Sequence, residues 1–277
     1  MAGETIQGVD SSYDELMIPQ ARCLRSKGIK LFIQALTALP RTGLHQPAHR
    51  IANLRNAETA NIATAGYLLI APGLTGKQCV AEARRGIPMD VWKRLKFVAI
   101  DIEVYGLNDH QVLEAWREVE RLGKRAVIYT SYNVWTTMIV PNNSSLLARE
   151  GYALWNASWD NRPDINFSRL PFGGWTRDQV IGEQWSGGTV ICNQSVDQDT
   201  FYKYIIDDIG VGLPEPEPKP VVLGKTIVHN GDYFFAEVGM GAGTHHWYIR
   251  THKELEAYRT IGWSQVSRKP LGSRLDW

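Results

Sequence analysis

Short, almost wholly apolar runs alternate with stretches of helical periodicity along most of this sequence. Candidate strands are Ile6–Asp10, Leu31–Ala35, Ala65–Ile70, Phe97–Ile102, Ala126–Thr130, Tyr152–Asn156 and Val180–Trp185. Several are apolar at successive positions, the pattern of parallel strands covered on both faces. Helices with start and stop signals lie between the early runs. Asn108 and Gln111 form a candidate capping box, Val112, Trp116 and Val119 recur at helical spacing, and Gly123 stops the helix. Thr75 and Gln78 repeat the device before Val80–Arg85. Strand, helix, strand at this period predicts an α/β fold, a parallel barrel or a doubly wound sheet. The rhythm breaks late. Only Ser186, Gly187 and Gly188 separate Trp185 from Thr189, too few for a crossover helix, so a hairpin and an antiparallel strand are expected there.

Residues 210–221 read Gly-Val-Gly-Leu-Pro-Glu-Pro-Glu-Pro-Lys-Pro-Val. Alternating prolines lack backbone donors and favour an extended spacer. The sequence therefore divides into a first domain at 1–212, a Pro-rich linker at 213–221 and a small second domain at 222–277. A net charge of +1 supplies no global field for nucleic acid or an anionic membrane surface, so neither is an expected partner. No run approaches the ~18 apolar residues of a membrane span, and the polar start lacks the apolar core of an export signal. Three cysteines, Cys23, Cys79 and Cys192, are too few and too scattered for a disulfide framework or a zinc site, and buried free thiols are expected.

The chemistry concentrates in Phe97-Val-Ala-Ile-Asp-Ile-Glu103, an apolar strand ending in two carboxylates at i and i+2. Such side chains share one strand face, ~6.6 Å apart along it. In a barrel the active site forms at the C-terminal strand ends. Asp101 and Glu103 would then enter one cleft, and their repulsion raises one pKa to leave a proton donor beside a charged partner. Asp10 ends the first strand and meets that pair only across a barrel mouth. Converging acids serve a positive transition state or a metal. An oxocarbenium-like transition state flanked by carboxylates fits better than an all-oxygen Mg²⁺ site, so no metal or other cofactor is expected.

Seven segments in order resemble family 25 glycoside hydrolases, the lysozyme family that cleaves bacterial peptidoglycan. They are Gly8-Val-Asp10-Ser-Ser, Gly66-Tyr-Leu-Leu-Ile, Ala99-Ile-Asp101-Ile-Glu103, Ile128-Tyr-Thr-Ser, Leu154-Trp-Asn-Ala-Ser, Glu183-Gln-Trp-Ser and Val196-Asp197-Gln-Asp-Thr-Phe201. The resemblance implies an irregular TIM-like (β/α)-barrel of five β/α units followed by three strands. It implies hydrolysis of the β-1,4 bond between N-acetylmuramic acid and N-acetylglucosamine. Glu103 would be the general acid, Asp101 would orient the N-acetyl group or stabilise the cationic centre, and Asp10 would stabilise charge and position sugar or water. Asp197 matches a late Val-Asp motif, with a catalytic role or a structural one closing the last turn. Tyr67, Tyr129, Trp155 and Trp185 match aromatic positions near the cleft and are candidates for stacking on sugar, with core packing as the alternative. The sequence departs from the family pattern in three places. Leu31–Thr37 has no basic residue, Leu68–Ile70 is apolar where a His and an aromatic are usual, and the usual Gln after the aromatic Tyr13 is replaced by Asp14.

Residues 222–277 hold eight aromatics among 56 positions. Lys225–His229, Tyr233–Val238 and His245–Arg250 are expected strands, the first two joined through Asn230-Gly231, and Thr251 with Glu254 opens a short helix ending near Gly262. This small α+β unit resembles, in His245-His246-Trp247-Tyr248, Glu254 and Gly262-Trp263, a short repeat of secreted and phage-associated proteins linked to surface attachment. The expectation is a wall-binding module, with self-association or virion assembly as its other uses; neighbouring strand histidines point to opposite faces, which argues against a metal. The leading expectation is a phage endolysin or virion-borne lysin acting on the cell wall. The alternative is a non-catalytic carbohydrate-binding or virion structural protein on the same barrel.

Overall fold

The computed structural model describes residues 3–38, 44–207, 222–230, 233–240, 243–249 and 264–267. The chain divides into two compact units, Met1–Gly210 and Val211–Trp277.

The first unit alternates strands and helices: β1 (Thr5–Ser11), α1 (Ile18–Ser26), β2 (Ile29–Ala35), α2 (Arg50–Thr59), β3 (Ala63–Leu69), α3 (Gly76–Arg84), α4 (Met89–Arg94) and β4 (Val98–Asp101). It continues with β5 (Leu107–Asn108), α5 (Asp109–Arg121), β6 (Ala126–Ser131), α6 (Tyr132–Thr137), β7 (Ile139–Val140), α7 (Leu146–Arg149), β8 (Leu154–Ala157), β9 (Val180–Ile191) and β10 (Gln194–Tyr202). Eight strands close into a barrel in the order β1-β10-β9-β8-β6-β4-β3-β2, while β5 and β7 form a small outer pair. Five β/α units are followed by three strands, the architecture that the resemblance implied. All neighbouring barrel strands are parallel except β10, which runs against both β9 and β1.

The burial follows the sequence pattern. Leu31, Phe32 and Ile33 of β2 are all inaccessible. Leu31 and Ile33 pack into the barrel interior with Ile6, Phe97, Val127, Trp155 and Phe201, while Phe32 faces the α1 and α2 side with Leu16, Leu24 and Ala57. A consecutive apolar run is thus two half-faces, each with its own partner layer. The α3 box forms as expected: Thr75 Oγ1 accepts from Gln78 N (3.2 Å), and Gln78 Oε1 accepts from Thr75 N (2.8 Å). The α5 box forms only in part. Asn108 caps Gln111 N (2.9 Å), but the Gln111 amide turns away to donate to the carbonyls of Ala71 and Leu74, which lie in the β3–α3 loop.

Two expectations are corrected. First, Ser186–Gly188 is not the hairpin turn. β9 continues through it to Ile191, and the turn is Cys192-Asn193, both left-handed (φ 55° and 59°). This pair of positive φ values matches the right-handed twist of the flanking strands. Gly187 and Gly188 instead lie beside a bulge at Asp197, whose Oδ1 accepts from Gly188 N (2.6 Å). Second, Cys23 and Cys192 are not free thiols. They are bridged, with Cα atoms 5.9 Å apart, and Cys79 alone is a buried free cysteine. The hairpin overshoots the barrel and lies on the apolar patch of α1, where Gln194 Nε2 donates to Glu15 O (3.1 Å) and Ser195 N to Asp14 Oδ2 (3.0 Å). A separation of 169 residues hides that contact from any reading of spacing.

In the second unit β11 (Val222–Asn230), β12 (Tyr233–Met240), β13 (Gly243–Ile249) and β14 (Ser264–Ser267) form a sheet in the order β13-β12-β11-β14. Its first two pairings are antiparallel, and β11–β14 is parallel. The three expected strands lie within β11, β12 and β13, and β14 was not foreseen. The linker at 213–221, Gly231, Arg250 and the expected helix from Thr251 to Gly262 lie outside the described residues.

Gly182 faces Phe201, and a Cβ there would lie 2.2 Å from Phe201 Cδ1. Gly182→Ala is expected to destabilise the barrel by about 1–3 kcal/mol, read as a lower denaturation midpoint at unchanged slope. Thiol titration of denatured, unreduced protein should find one reactive cysteine and, after reduction, three. Cys192→Ser should lower stability by about 2–5 kcal/mol.

Candidate active site

The mouth of the barrel collects carboxylates from three strands and one loop. Asp10 is the penultimate residue of β1, Asp101 ends β4, and Glu103 follows two residues on. Asp197 pairs with Asp10 across the β1–β10 ladder, because the reversed β10 starts at the mouth where the parallel strands end. Asp199, two residues further along the same strand, lies deeper, beside Gly8. Asp10 and Asp101 are 5% and 4% exposed and Asp199 is sealed, whereas Glu103 opens to solvent. The structure therefore gathers all four acids expected from the sequence and adds a fifth.

Gln184 organises this cluster. It sits on β9, and its Oε1 accepts from Tyr129 OH (2.8 Å) and from Trp159 Nε1 (2.6 Å). Two donors on one oxygen fix the amide orientation, so Nε2 donates to Asp10 Oδ2 (2.7 Å). Tyr129 OH also lies 3.4 Å from Glu103 Oε1. Trp155 Nε1 donates to Asp199 Oδ1 (3.1 Å), and Tyr67 OH shares a hydrogen with Ser12 Oγ (2.7 Å). Asp101 Oδ1 is buried and has no hydrogen-bond partner among the described residues.

Crowding of like charge out of water governs the protonation. Burial raises Asp10 to about 8, helped by the charges of Asp197 and Glu103 and opposed by the Gln184 amide. Burial also pushes Asp101 well above the carboxylate range, with Glu103 and Asp10 adding to the shift. Glu103 is raised by the protein packed around its carboxyl and by Asp197, against the Tyr129 hydroxyl. Asp199 is raised by burial and then by Asp10 and Asp197. The same burial and carboxylates raise Tyr67 and Tyr129, which remain neutral donors. Among the described residues no group of His, Cys, Asp and Glu is arranged to hold a metal ion.

The aromatic expectations divide. Tyr129 and Tyr67 reach the acids through their hydroxyls. Trp155 is a correction: it is 1% exposed, wedged between Tyr129 and Phe201, and presents no face to a sugar. Its β8 position points inward to the middle of the barrel rather than to its rim. Trp185 is half-buried. The exposed indole at the mouth is Trp159, 61% accessible and held at φ 48°. The sequence reading passed over Trp159, Gln184 and Asp199. For Gln184 and Asp199 a signal existed, since polar residues alternate with Gly182 and Phe201 on inward strand positions. Trp159 left none, because it belongs to a loop.

No family model matches the chain. A curated Dictyostelium discoideum protein, "Probable GH family 25 lysozyme 3", is 30% identical over 94 residues, which cover 34% of this chain and 18% of that protein. Two solved structures share the fold. A family 25 glycosyl hydrolase from Bacillus anthracis aligns with a TM-score of 0.52 and 17% identity, over 72% of this chain and 89% of its own. The Clostridium perfringens spore cortex lytic enzyme SleM aligns with a TM-score of 0.55 and 16% identity, over 85% and 76%. The first unit thus carries the family 25 glycoside hydrolase fold, and the chain is similar in sequence to a family 25 lysozyme.

The raised carboxyls predict a stability slope. A carboxyl whose folded pKa exceeds its unfolded value, about 3.9 for Asp, stabilises the fold at low pH and loses that contribution as pH rises through the folded pKa. Stability should fall as pH rises from about 4 towards the Asp10 value of about 8. Asp10→Asn should flatten the slope and be the more stable protein at pH 8, measured by denaturant titration across that window.

Proposed function

We propose that this chain is a peptidoglycan hydrolase, an N-acetylmuramidase that cleaves the β-1,4 bond between N-acetylmuramic acid and N-acetylglucosamine. The observation that carries this reading is the placement of Glu103, a solvent-reachable carboxyl with raised pKa, above the buried Asp101 and opposite Asp10 and Asp197. The similarity to a family 25 lysozyme, and the fold shared with a family 25 glycosyl hydrolase and a spore cortex lytic enzyme, supports it.

Glu103 enters the reaction protonated and gives its proton to the leaving glycosidic oxygen. Positive charge then develops at the anomeric carbon, facing the acids of β1, β4 and β10. A cation there lowers the pKa of the carboxyls around it, so Asp10, raised to about 8 in the empty site, is driven towards its charged form, its proton passing to water at the mouth. Gln184 holds Asp10 in place through that change. Trp159 offers its exposed indole face to a sugar ring. The proposed setting is the bacterial wall, with a phage endolysin or virion-borne lysin as the source. The Cys23–Cys192 bridge suits action outside a reducing cytosol. The resemblance of residues 245–263 to a repeat of secreted and phage-associated proteins supports the second unit as a wall anchor.

Wild-type protein should clear a peptidoglycan suspension and leave N-acetylmuramic acid at the new reducing ends, identified by mass analysis. Glu103→Gln should reduce clearing by about 10²–10⁴-fold while the protein still sediments with the wall. Activity should fall as pH rises through the raised Glu103 pKa. Binding without clearing by the wild type on several wall types would replace the hydrolase with a carbohydrate-binding protein.

A further inference from the structure

Glu183 lies beside Gln184 on β9, but its side chain points out of the barrel. It pairs in register with Asn156 of β8 and Thr200 of β10. It is completely inaccessible, yet it touches none of the site acids. In the five β/α units a helix follows each strand. Here the β8–β9 connection is irregular from Ser158 to Thr176, followed by a single short turn at Arg177–Gln179, and a loop must bury part of its backbone. Glu183 supplies the missing acceptors: one carboxylate oxygen accepts from Ser158 Oγ and the other from Asn166 N.

Resting on the hydrolase reading, we propose that Glu183 is a positioning residue whose carboxylate clamps the β8–β9 loop and so holds Trp159 over the mouth as a platform for a substrate sugar. The contacts run without a break. Ser158 and Trp159 both donate their backbone N–H to Gln184 O (3.1 and 3.3 Å), and Asn161 N donates to Trp185 O (2.8 Å). Trp159 is thereby kept in a left-handed conformation that a tryptophan adopts only when its neighbours over-determine it. Its indole N–H then reaches Gln184 Oε1, the same oxygen that orients the amide on Asp10. Asn166, clamped at the other end, donates through Nδ2 to Asp160 Oδ2 (2.8 Å) and closes the loop on itself. Release of Glu183 would free both anchor points, while Tyr129 OH still donates to Gln184 Oε1 and keeps the amide on Asp10.

The clamp is strongest in the ionised form, because hydrogen bonds to a charged carboxylate are roughly twice as strong as neutral ones. Burial raises Glu183 to about 7, with Asp160 and Asp164 of the loop adding to the shift and the two donors opposing it. Asn156 and Thr200, its neighbours on the flanking strands, carry no charge. Protonation replaces two charge-assisted hydrogen bonds with weaker neutral ones, the Ser158 bond reversing its donor, so the loop loosens as pH falls through that value.

The test is Glu183→Gln, which keeps the shape and mimics the protonated form. On soluble peptidoglycan fragments its KM should rise roughly tenfold with kcat within about twofold, the signature of lost binding rather than lost chemistry. Wild-type KM should climb to the variant's value as pH falls below about 7, and the variant's KM should stay flat across the same range. Trp159→Ala should raise KM similarly and add little when combined with Glu183→Gln. Amide exchange of residues 158–166 in the wild type should quicken over the same pH interval while Val98–Asp101 stays protected, a readout that needs neither turnover nor a variant. A fall in kcat at unchanged KM, or exchange in the loop that ignores pH and substitution, would overturn the proposal. Absence of wild-type turnover would instead sink the hydrolase reading, with the exchange pattern still deciding the clamp.

Discussion

The direction of β10 decides the character of the mouth. A parallel eighth strand would deliver only its last residue or two to the catalytic end. By running against β1 and β9, β10 begins there and sends Asp197 and then Asp199 down the barrel wall beside Asp10 and Gly8. Reversal also requires a hairpin rather than a crossover, and this hairpin projects past the barrel rim onto α1. The glycines beside the Asp197 bulge, the left-handed turn at Cys192-Asn193 and the Cys23–Cys192 bridge all belong to that geometry. Asp197 accordingly has two tasks. Its carboxylate holds the bulged strand through Gly188, and its charge acts on Asp10 and Glu103.

Gathering five carboxyls in so little water opposes folding, and the protein limits this in two ways. Protonation removes charge from the deepest members, as the upward shifts of Asp10, Asp101 and Asp199 show. Neutral donors satisfy others: Gln184 on Asp10, Trp155 on Asp199 and Tyr129 beside Glu103. An arginine or lysine would relieve the same repulsion, but it would compete with the positive charge that a glycosidic transition state develops. Leu31–Thr37, which holds no basic residue, and Leu68–Ile70, which holds no histidine, add no positive charge to this mouth.

The aromatic residues separate by how directly strand geometry controls them. Trp155 lies in a strand, and its inward position commits it to the barrel interior. Trp159 lies past the strand end, where Glu183 and the backbone of β9 determine its pose. Equal residue types four apart therefore serve packing in one case and exposure in the other.

Alternation of apolar runs with capped helices was enough to establish a parallel α/β fold, because strands covered on both faces must be apolar throughout, but it left a barrel and a doubly wound sheet equally open until the family resemblance pointed to the barrel. The i, i+2 spacing of Asp101 and Glu103 was enough to put both on one wall, because a strand repeats every two residues. Pairing across the barrel was not legible at that level. That Cys23 meets Cys192, that Gln184 bridges Tyr129 and Trp159 to Asp10, and that Trp155 is sealed while Trp159 is open depend on contacts between segments far apart in the chain. Local periodicity carries no information about such neighbours; they come into being only when the ring of strands closes and its register is set.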